Sequence, residues 1–151
     1  MTIDAPSCLR LDRIPPRPIH WLWQPYLAFG KLALLDGDPG AGKSLVTADL
    51  AARLTRGGRM PDGAWRRRKS AVLFLNAEDG LDDTLRPRLD AAGADLTRVH
   101  SLGGIRLEDP AGGALSFPDC LDCLRRAVTA LWPELVVIDP MMAFFLSLIH
   151  I

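Results

Sequence analysis

The sequence has few of the residues that mark secreted proteins. It contains three cysteines in 151 residues, an odd number that does not make a disulfide framework. Residues 1–10 include Asp4 and Pro6 and lack the apolar stretch of a secretory signal. We therefore expect a reducing, cytoplasmic environment.

Neither an excess of one charge nor a long apolar run is present. Eighteen Lys and Arg residues balance eighteen Asp and Glu residues, so net charge points to neither a nucleic-acid nor a membrane partner. The apolar run at 141–151 is shorter than the roughly 20 residues that span a bilayer, so we expect no membrane segment. Only three of the basic residues are lysines, which makes each lysine more informative than any cluster of the fifteen arginines.

What remains is the composition of one globular domain, with 48% hydrophobic and 24% charged residues. Residues 1–30 are rich in proline and aromatic residues and are interpreted as an irregular lead-in arm, and residues 31–145 as the core. In the core, short apolar runs alternate with stretches of helical periodicity, which predicts βαβ units and an α/β fold with a mostly parallel sheet and flanking helices. The predicted strands are 31–36, 71–75, 99–102 and 135–139, and the predicted helices are 44–55, 81–92 and 119–131.

A glycine-rich motif follows the first predicted strand and precedes the first predicted helix. It fits G-x-x-x-x-G-K-[ST], in which backbone N–H groups surround phosphates, the lysine reaches the terminal phosphates and the hydroxyl reaches Mg²⁺. The helix dipole adds to the attraction for an anion. The predicted nucleotide-binding residues are Gly37, Asp38, Pro39, Gly40, Ala41, Gly42, Lys43 and Ser44.

An aspartate ends the last predicted strand, LVVID, at Asp139. The carboxyl ends of parallel strands share one edge of a sheet, so Asp139 is expected near the phosphate loop, where it can hold the Mg²⁺ hydration shell. A strand-ending aspartate is often only a turn or cap residue. Its pairing with the loop motif favours Asp139 and Ser44 as the metal site.

Acidic residues also follow the second predicted strand, in the segment NAEDG. Glu78 is the candidate catalytic base, because hydrolysis of a terminal phosphate needs a group that positions and polarises water. The alternative for this segment is structural, with Asp79 or Asp82 capping the next helix. Both can hold, with Glu78 in the chemistry and an aspartate at the cap.

With GDPGAGKS, NAEDG and LVVIDP in this order, the chain resembles the RecA-like AAA-family ATPases typified by the RepA-type hexameric replicative helicases. The resemblance covers roughly residues 18–145 and includes WLW, RPRLDAAGAD, FPD and DPMMAFF. It implies a P-loop NTPase fold that binds ATP and Mg²⁺, with Lys43 and Glu78 catalytic and Asp139 at the metal. It also implies a homo-oligomeric, hexameric ring and single-stranded DNA as a possible partner.

Two features of that family have no counterpart in this sequence. The family continues past the aspartate-bearing strand with a further strand carrying a polar sensor, and then with basic residues that act in the neighbouring subunit's site. Residues 146–151, LSLIHI, resemble the translation of a transposon mosaic-end adaptor. We therefore expect an adaptor-derived end and a core that is incomplete at its C-terminus.

Three other segments have both a structural and a functional interpretation, and we expect the structural one in each case. Residues 66–69, RRRK, are expected to form a solvated loop rather than a nucleic-acid contact. Trp21, Trp23 and Trp65 are expected to pack rather than stack on bases. Cys120 and Cys123 form a C-x-x-C, but without a second pair they are expected to belong to a helix.

Three functions remain open from sequence: a DNA motor, an ATP-dependent switch or loader that does not unwind DNA, and, for this chain, a nucleotide-binding fragment without turnover. For these 151 residues we favour the third, because the sensor and the arginine that acts in the neighbouring subunit's site have no counterpart. Stimulation of ATPase activity by single-stranded DNA separates the first from the last, and strand displacement separates the first two. A GTPase is disfavoured because no N-K-x-D motif occurs. Small-molecule kinases would not need Glu78 beside the loop.

Overall fold

A computed structural model describes residues 9–77, 79–102 and 121–144 of the chain. The chain divides into two compact units, with the division after Ala33. The smaller unit contains a short 3₁₀ helix, Leu11–Arg13, and a two-stranded antiparallel sheet of β1, Trp21–Trp23, and β2, Leu27–Ala28. The predicted lead-in arm is therefore not wholly irregular.

The aromatic residues explain this local order. The rings of Trp23 and Tyr26 lie with centroids 4.8 Å apart, and the Tyr26 N–H donates to the Trp23 carbonyl oxygen at the turn between the strands. Leu22, between the two tryptophans, is buried. A tight turn and one ring contact thus order a segment whose prolines suggested irregular structure.

The second unit is built on a parallel sheet, and its described part has the strand order β6-β5-β7. The central strand β5, Val72–Asn76, pairs with β6, Val99–Ser101, and with β7, Leu135–Asp139. β5 is buried along its whole length, as expected for a strand covered on both faces. The predicted parallel α/β arrangement is confirmed for these strands, and β7 has the predicted bounds.

Helices cover both faces of this sheet. Leu73 and Leu75 form a core with Phe144 of the 3₁₀ helix Met141–Phe144, and α3, Leu121–Leu131, packs against it through Leu124 and Val128. On the other face, α1, Lys43–Arg56, contacts β5 and α2, Arg86–Ala91. Within the described ranges, no helix has both the length and the apolar character needed to cross a membrane.

Helix α1 agrees with its prediction because its apolar residues recur on one face. Its buried residues are Ala48, Leu50, Ala51, Ala52, Leu54 and Thr55. The helix begins after Gly42 and ends at Arg56, and the next residue, Gly57, has a positive φ of 70° that glycine adopts without strain. The first unit of the predicted βαβ pattern therefore has its helix in place.

The predicted helix 81–92 is divided in the structure. Residues Leu81–Leu85 form a π-helical turn, in which the Leu85 N–H donates to the Gly80 carbonyl oxygen at 2.9 Å, and α2 begins at Arg86. Pro87 has no N–H to donate, and its ring would clash with the carbonyl four residues earlier in a continuous α-helix. The wider turn before α2 avoids that clash.

The predicted strand 31–36 is wrong. These residues form no strand in the structure, and Leu32 and Leu34 are 102% and 76% exposed. Apolar composition favours a strand, but a strand exists only where a neighbour accepts and donates its backbone hydrogen bonds. The described structure gives this segment no such neighbour.

A second hairpin occupies the predicted connection between α1 and β5. Strand β3, Gly58–Arg59, pairs antiparallel with β4, Trp65–Arg66. Arg66 forms an ion pair with Glu134 at 2.6 Å, with side chains only 19% and 12% exposed. The solvated loop predicted for 66–69 is therefore wrong for Arg66, whereas the other three side chains are exposed as expected.

Candidate nucleotide site

The phosphate loop lies directly before α1, and two of its glycines have left-handed backbone angles. Gly40 and Gly42 have φ of 78° and 84°, which side chains other than glycine rarely adopt. A methyl group built at either position would meet no atom within 4 Å. The glycines are therefore needed for backbone shape, and the space beside them is open to a ligand.

Lys43, the first residue of α1, folds back over the loop. Its Nζ donates to the carbonyl oxygens of Gly37 at 2.6 Å and Asp38 at 2.8 Å. The Leu45 N–H already donates to the Gly42 carbonyl oxygen at 3.0 Å, whereas the N–H groups of Lys43 and Ser44 have no acceptor within the helix and add donors at the same end of α1. The loop thus gathers an ammonium group and backbone donors, which is the donor set that a phosphate chain needs.

Ser44 and Asp139 meet although 95 positions separate them in the chain. The Ser44 hydroxyl donates to Asp139 Oδ2 at 3.0 Å, and both residues are half-buried. The contact joins the first turn of α1 to the carboxyl end of β7. A hydroxyl and a carboxylate are oxygen donors of the kind that Mg²⁺ prefers, so this pair fits the predicted cation.

The end of β5 lies beside Asp139. Asn76 is opposite Asp139 in the parallel register, and the Ala77 N–H donates to the Asp139 carbonyl oxygen at 3.2 Å. The Asn76 side chain also donates to the Asp79 carbonyl oxygen at 2.9 Å and accepts from the Asp79 N–H at 3.1 Å. Glu78 itself lies outside the described residues, but its neighbours on both sides lie at this edge.

Asp79 does not cap the following helical segment. Its carboxylate forms an ion pair with Arg88 of α2, and no side-chain cap bond is present at the start of either Leu81–Leu85 or α2. The predicted cap by Asp79 or Asp82 is therefore wrong. The guanidinium of Arg88 is charged and can donate two hydrogen bonds, so it is a stronger partner for the carboxylate than a single backbone N–H.

Two residues of this edge were not predicted. Asn76 clamps the turn that follows β5, and Arg88 holds Asp79 from α2. Asn76 is the single asparagine of the sequence and ends an apolar strand, a signal that could have identified it. Arg88 is one of fifteen arginines, and its spacing from Asp79 gives no periodic signal across a π-helical turn.

Comparison with known families agrees with this geometry. A family described as "AAA domain" matches residues 5–147, nearly the whole chain. Comparisons with curated proteins and with solved structures give no match. The chain belongs to the AAA domain family, whose members are P-loop, nucleotide-binding ATPases that generally bind ATP with Mg²⁺.

Proposed function

We propose that this AAA-domain chain binds ATP and Mg²⁺ at the edge formed by the phosphate loop and Asp139, and that Glu78 serves as the base for hydrolysis. The observation that carries the proposal is the 3.0 Å hydrogen bond between Ser44 and Asp139. It joins two predicted metal ligands from distant parts of the chain beside the loop lysine. An ordinary glycine-rich turn would not require that convergence.

Each residue has a defined task in this proposal. Lys43 exchanges its bonds to the loop carbonyls for bonds to the terminal phosphate oxygens, and the glycines let backbone N–H groups approach the same anion. Ser44 and Asp139 hold Mg²⁺, which when bound neutralises charge on the phosphate oxygens. Glu78 accepts the proton of the attacking water.

The finer proposal is a motor of the RecA or RepA type that acts on single-stranded DNA as a hexameric ring. Its support is the order of the three motifs in the sequence and the family to which the chain belongs. A switch or loader would share the same ATP site. ATPase activity stimulated by single-stranded DNA together with strand displacement supports the motor, and stimulation without displacement supports the loader.

Two variants test the site. Lys43→Ala removes charge-assisted hydrogen bonds to phosphate, which contribute about 1.5–3 kcal/mol. The variant should therefore bind ATP about 10- to 100-fold more weakly. Lys31→Ala removes an exposed lysine outside the loop and should leave binding unchanged. Fluorescent ATP titration measures both, and equal affinities for the two variants would contradict the assigned loop.

Glu78→Gln should keep ATP binding and lower kcat by about 100-fold or more, because a positioned base contributes about 10²–10⁴ to rate. Asp82→Asn, a change at a nearby acid, is the matched control and should retain turnover. Phosphate release under saturating ATP gives the comparison. Normal hydrolysis by the Glu78→Gln variant would remove the base assignment.

A further inference from the structure

A basic cleft lies at the end of α1 opposite the phosphate loop. A cavity of about 420 Å³ opens between the last turns of α1, strand β3 and Ala92 at the end of α2. Three arginines line it, Arg53, Arg56 and Arg59, together with one carboxylate, Asp49. The cleft therefore combines concave shape with an excess of positive charge.

Three carboxylates near the cleft are engaged by arginines, and Asp62 in the hairpin turn accepts from the Ala64 N–H. Asp49 pairs with Arg53 at 2.7 Å, Asp95 with Arg98 at 3.4 Å and Glu134 with Arg66 at 2.6 Å. The exposed cations Arg56, Arg59, Arg67 and Arg68 form no ion pair within the described ranges. Lys69 differs, because it is close enough to Asp95 to add to the Thr97 hydrogen bond in lowering the pKa of that carboxyl. Positive charge is thus left to face solvent around the cleft.

The hairpin of β3 and β4 and the segment after it bring the backbone that carries these cations to the same end of α1. The backbone of Arg67 lies against Gly57 at the cleft, where an added methyl group would come within 3.3 Å of the Arg67 carbonyl oxygen. Arg53 donates to the Arg59 carbonyl oxygen at 2.5 Å, which fixes the start of the hairpin to α1. The cations therefore lie on elements tied to the same end of the helix.

One exposed aromatic side chain lies among these charges. Trp65 on β4 is opposite Arg59 on β3, and directly opposed residues of a hairpin project from the same face. Trp65 is 67% exposed, whereas its neighbour Arg66 pairs with Glu134 and Met60 is buried. The hairpin thus has an inward face that packs and an outward face that presents an aromatic ring beside a guanidinium.

We propose that the basic cleft and the outward face of the β3–β4 hairpin bind single-stranded nucleic acid, with the arginines on phosphates and Trp65 stacked on a base. A basic groove with an exposed aromatic ring is the combination that unpaired strands require. Duplex DNA keeps its bases stacked inside, and an acidic polypeptide has no base to place on the indole. Neither ligand therefore offers a base that would stack on the exposed ring of Trp65.

This surface is separate from the nucleotide site. Helix α1 has 14 residues, so at 1.5 Å per residue its two ends lie about 20 Å apart. Lys43 is at one end and Arg53 and Arg56 are at the other. Strand binding at the cleft therefore does not depend on the proposed hydrolysis of ATP, but it rests on the finer proposal of a motor that acts on single-stranded DNA, to which it adds the binding surface.

The stacking role of Trp65 is tested by titrating the purified chain into a fluorescein-labelled 20-nucleotide oligothymidylate and measuring the fluorescence anisotropy of the label. Trp65→Ala should weaken binding by roughly tenfold, because one base loses its stacking partner. Trp132→Ala removes another indole that is 73% exposed and should have no effect. Equal affinities for the two variants, or equal affinity of the native chain for duplex and single strand, would overturn the stacking assignment.

The charges are tested through salt dependence. Changing Arg56, Arg59, Arg67 and Arg68 together to Gln should lower the slope of log affinity against log salt by roughly 3, at about 0.7 per phosphate contact. Changing Arg10, Arg13, Arg125 and Arg126 to Gln removes the same charge from exposed positions elsewhere. Equal slopes for the two quadruple variants would overturn the cleft as the binding surface.

Two further readouts separate this proposal from others. Competition by polyglutamate as effective as by unlabelled oligothymidylate would overturn it in favour of an acidic polypeptide. Lys43→Ala should lose ATP affinity and keep oligonucleotide affinity, and Trp65→Ala should do the reverse. The ATP site and the strand site can therefore fail independently.

Discussion

Two apolar runs of the chain have nearly the same pattern and opposite structures. Residues 32–35, LALL, precede Asp36, and residues 72–75, VLFL, precede Asn76. The second run is the buried central strand β5, whereas Leu32 and Leu34 of the first are 102% and 76% exposed.

The difference shows that apolar sequence alone does not make a strand. β5 has a parallel neighbour on each edge and helices against both faces, so burial and hydrogen bonding support each other. The run at 32–35 lacks strand partners in the described structure. Pairing, which depends on residues far away in the chain, decides between the two outcomes.

Hydrogen exchange should separate the two runs most strongly. Amides at the centre of β5 open only with global unfolding, so they should exchange about a thousandfold or more slowly than those of residues 32–35. Exchange followed by mass spectrometry of the two peptides measures this. Comparable protection would mean that the first run is also a paired strand.

Truncation of one leucine in each run is the next test. Leu75 is fully buried, so Leu75→Ala should lower the free energy of unfolding by about 2–5 kcal/mol. Leu34→Ala, at an exposed position, should change it by less than about 0.5 kcal/mol. Urea denaturation compares them, and a large loss in the Leu34 variant would contradict the exposed position.

The glycine loop follows the exposed run and precedes the buried face of α1. Gly42→Ala places a side chain at φ 84° and should cost about 1–2 kcal/mol through backbone strain, since no atom crowds the new methyl group. Thermal denaturation measures the loss. An unchanged midpoint would show that the loop does not hold this conformation.

The smallest effect on stability is expected at the end of β5, where Arg88 forms an ion pair with Asp79. Arg88→Ala breaks the partly exposed ion pair with Asp79 and should cost about 0.2–1 kcal/mol while slowing ATP turnover, because the turn beside Glu78 loosens. Arg86→Ala breaks a more exposed pair, at 3.8 Å, and is the control. Identical turnover in the two variants would leave Asp79 without a positioning role.

Sequence predicted best those features whose information is local. The helix α1 and the strand β7 follow from apolar spacing and from Gly42, Gly57 and Asp139 near their ends. The approach of Ser44 to Asp139 was also expected, but its premise holds only in part: Asp139 ends the parallel strand β7, whereas the strand expected before the loop is absent.

Contacts between residues that have no regular spacing in the sequence were not predictable. The bond from Arg66 to Glu134 and the bond from Arg88 to Asp79 join charged residues without regular spacing, in a chain where arginine is abundant. The β3–β4 hairpin has two residues per strand, which is too short for an alternation pattern. The role of Glu78 stays a prediction.

The 95-position span of the Ser44–Asp139 contact has a consequence for biosynthesis. A ribosome completes the loop and α1 long before it adds β7, so a nascent chain carries the glycine motif without its aspartate. The full pair of oxygen donors exists only after residue 139 has emerged and the sheet has closed. Under the proposed function, nucleotide affinity that needs Mg²⁺ would therefore appear only after the sheet has been assembled.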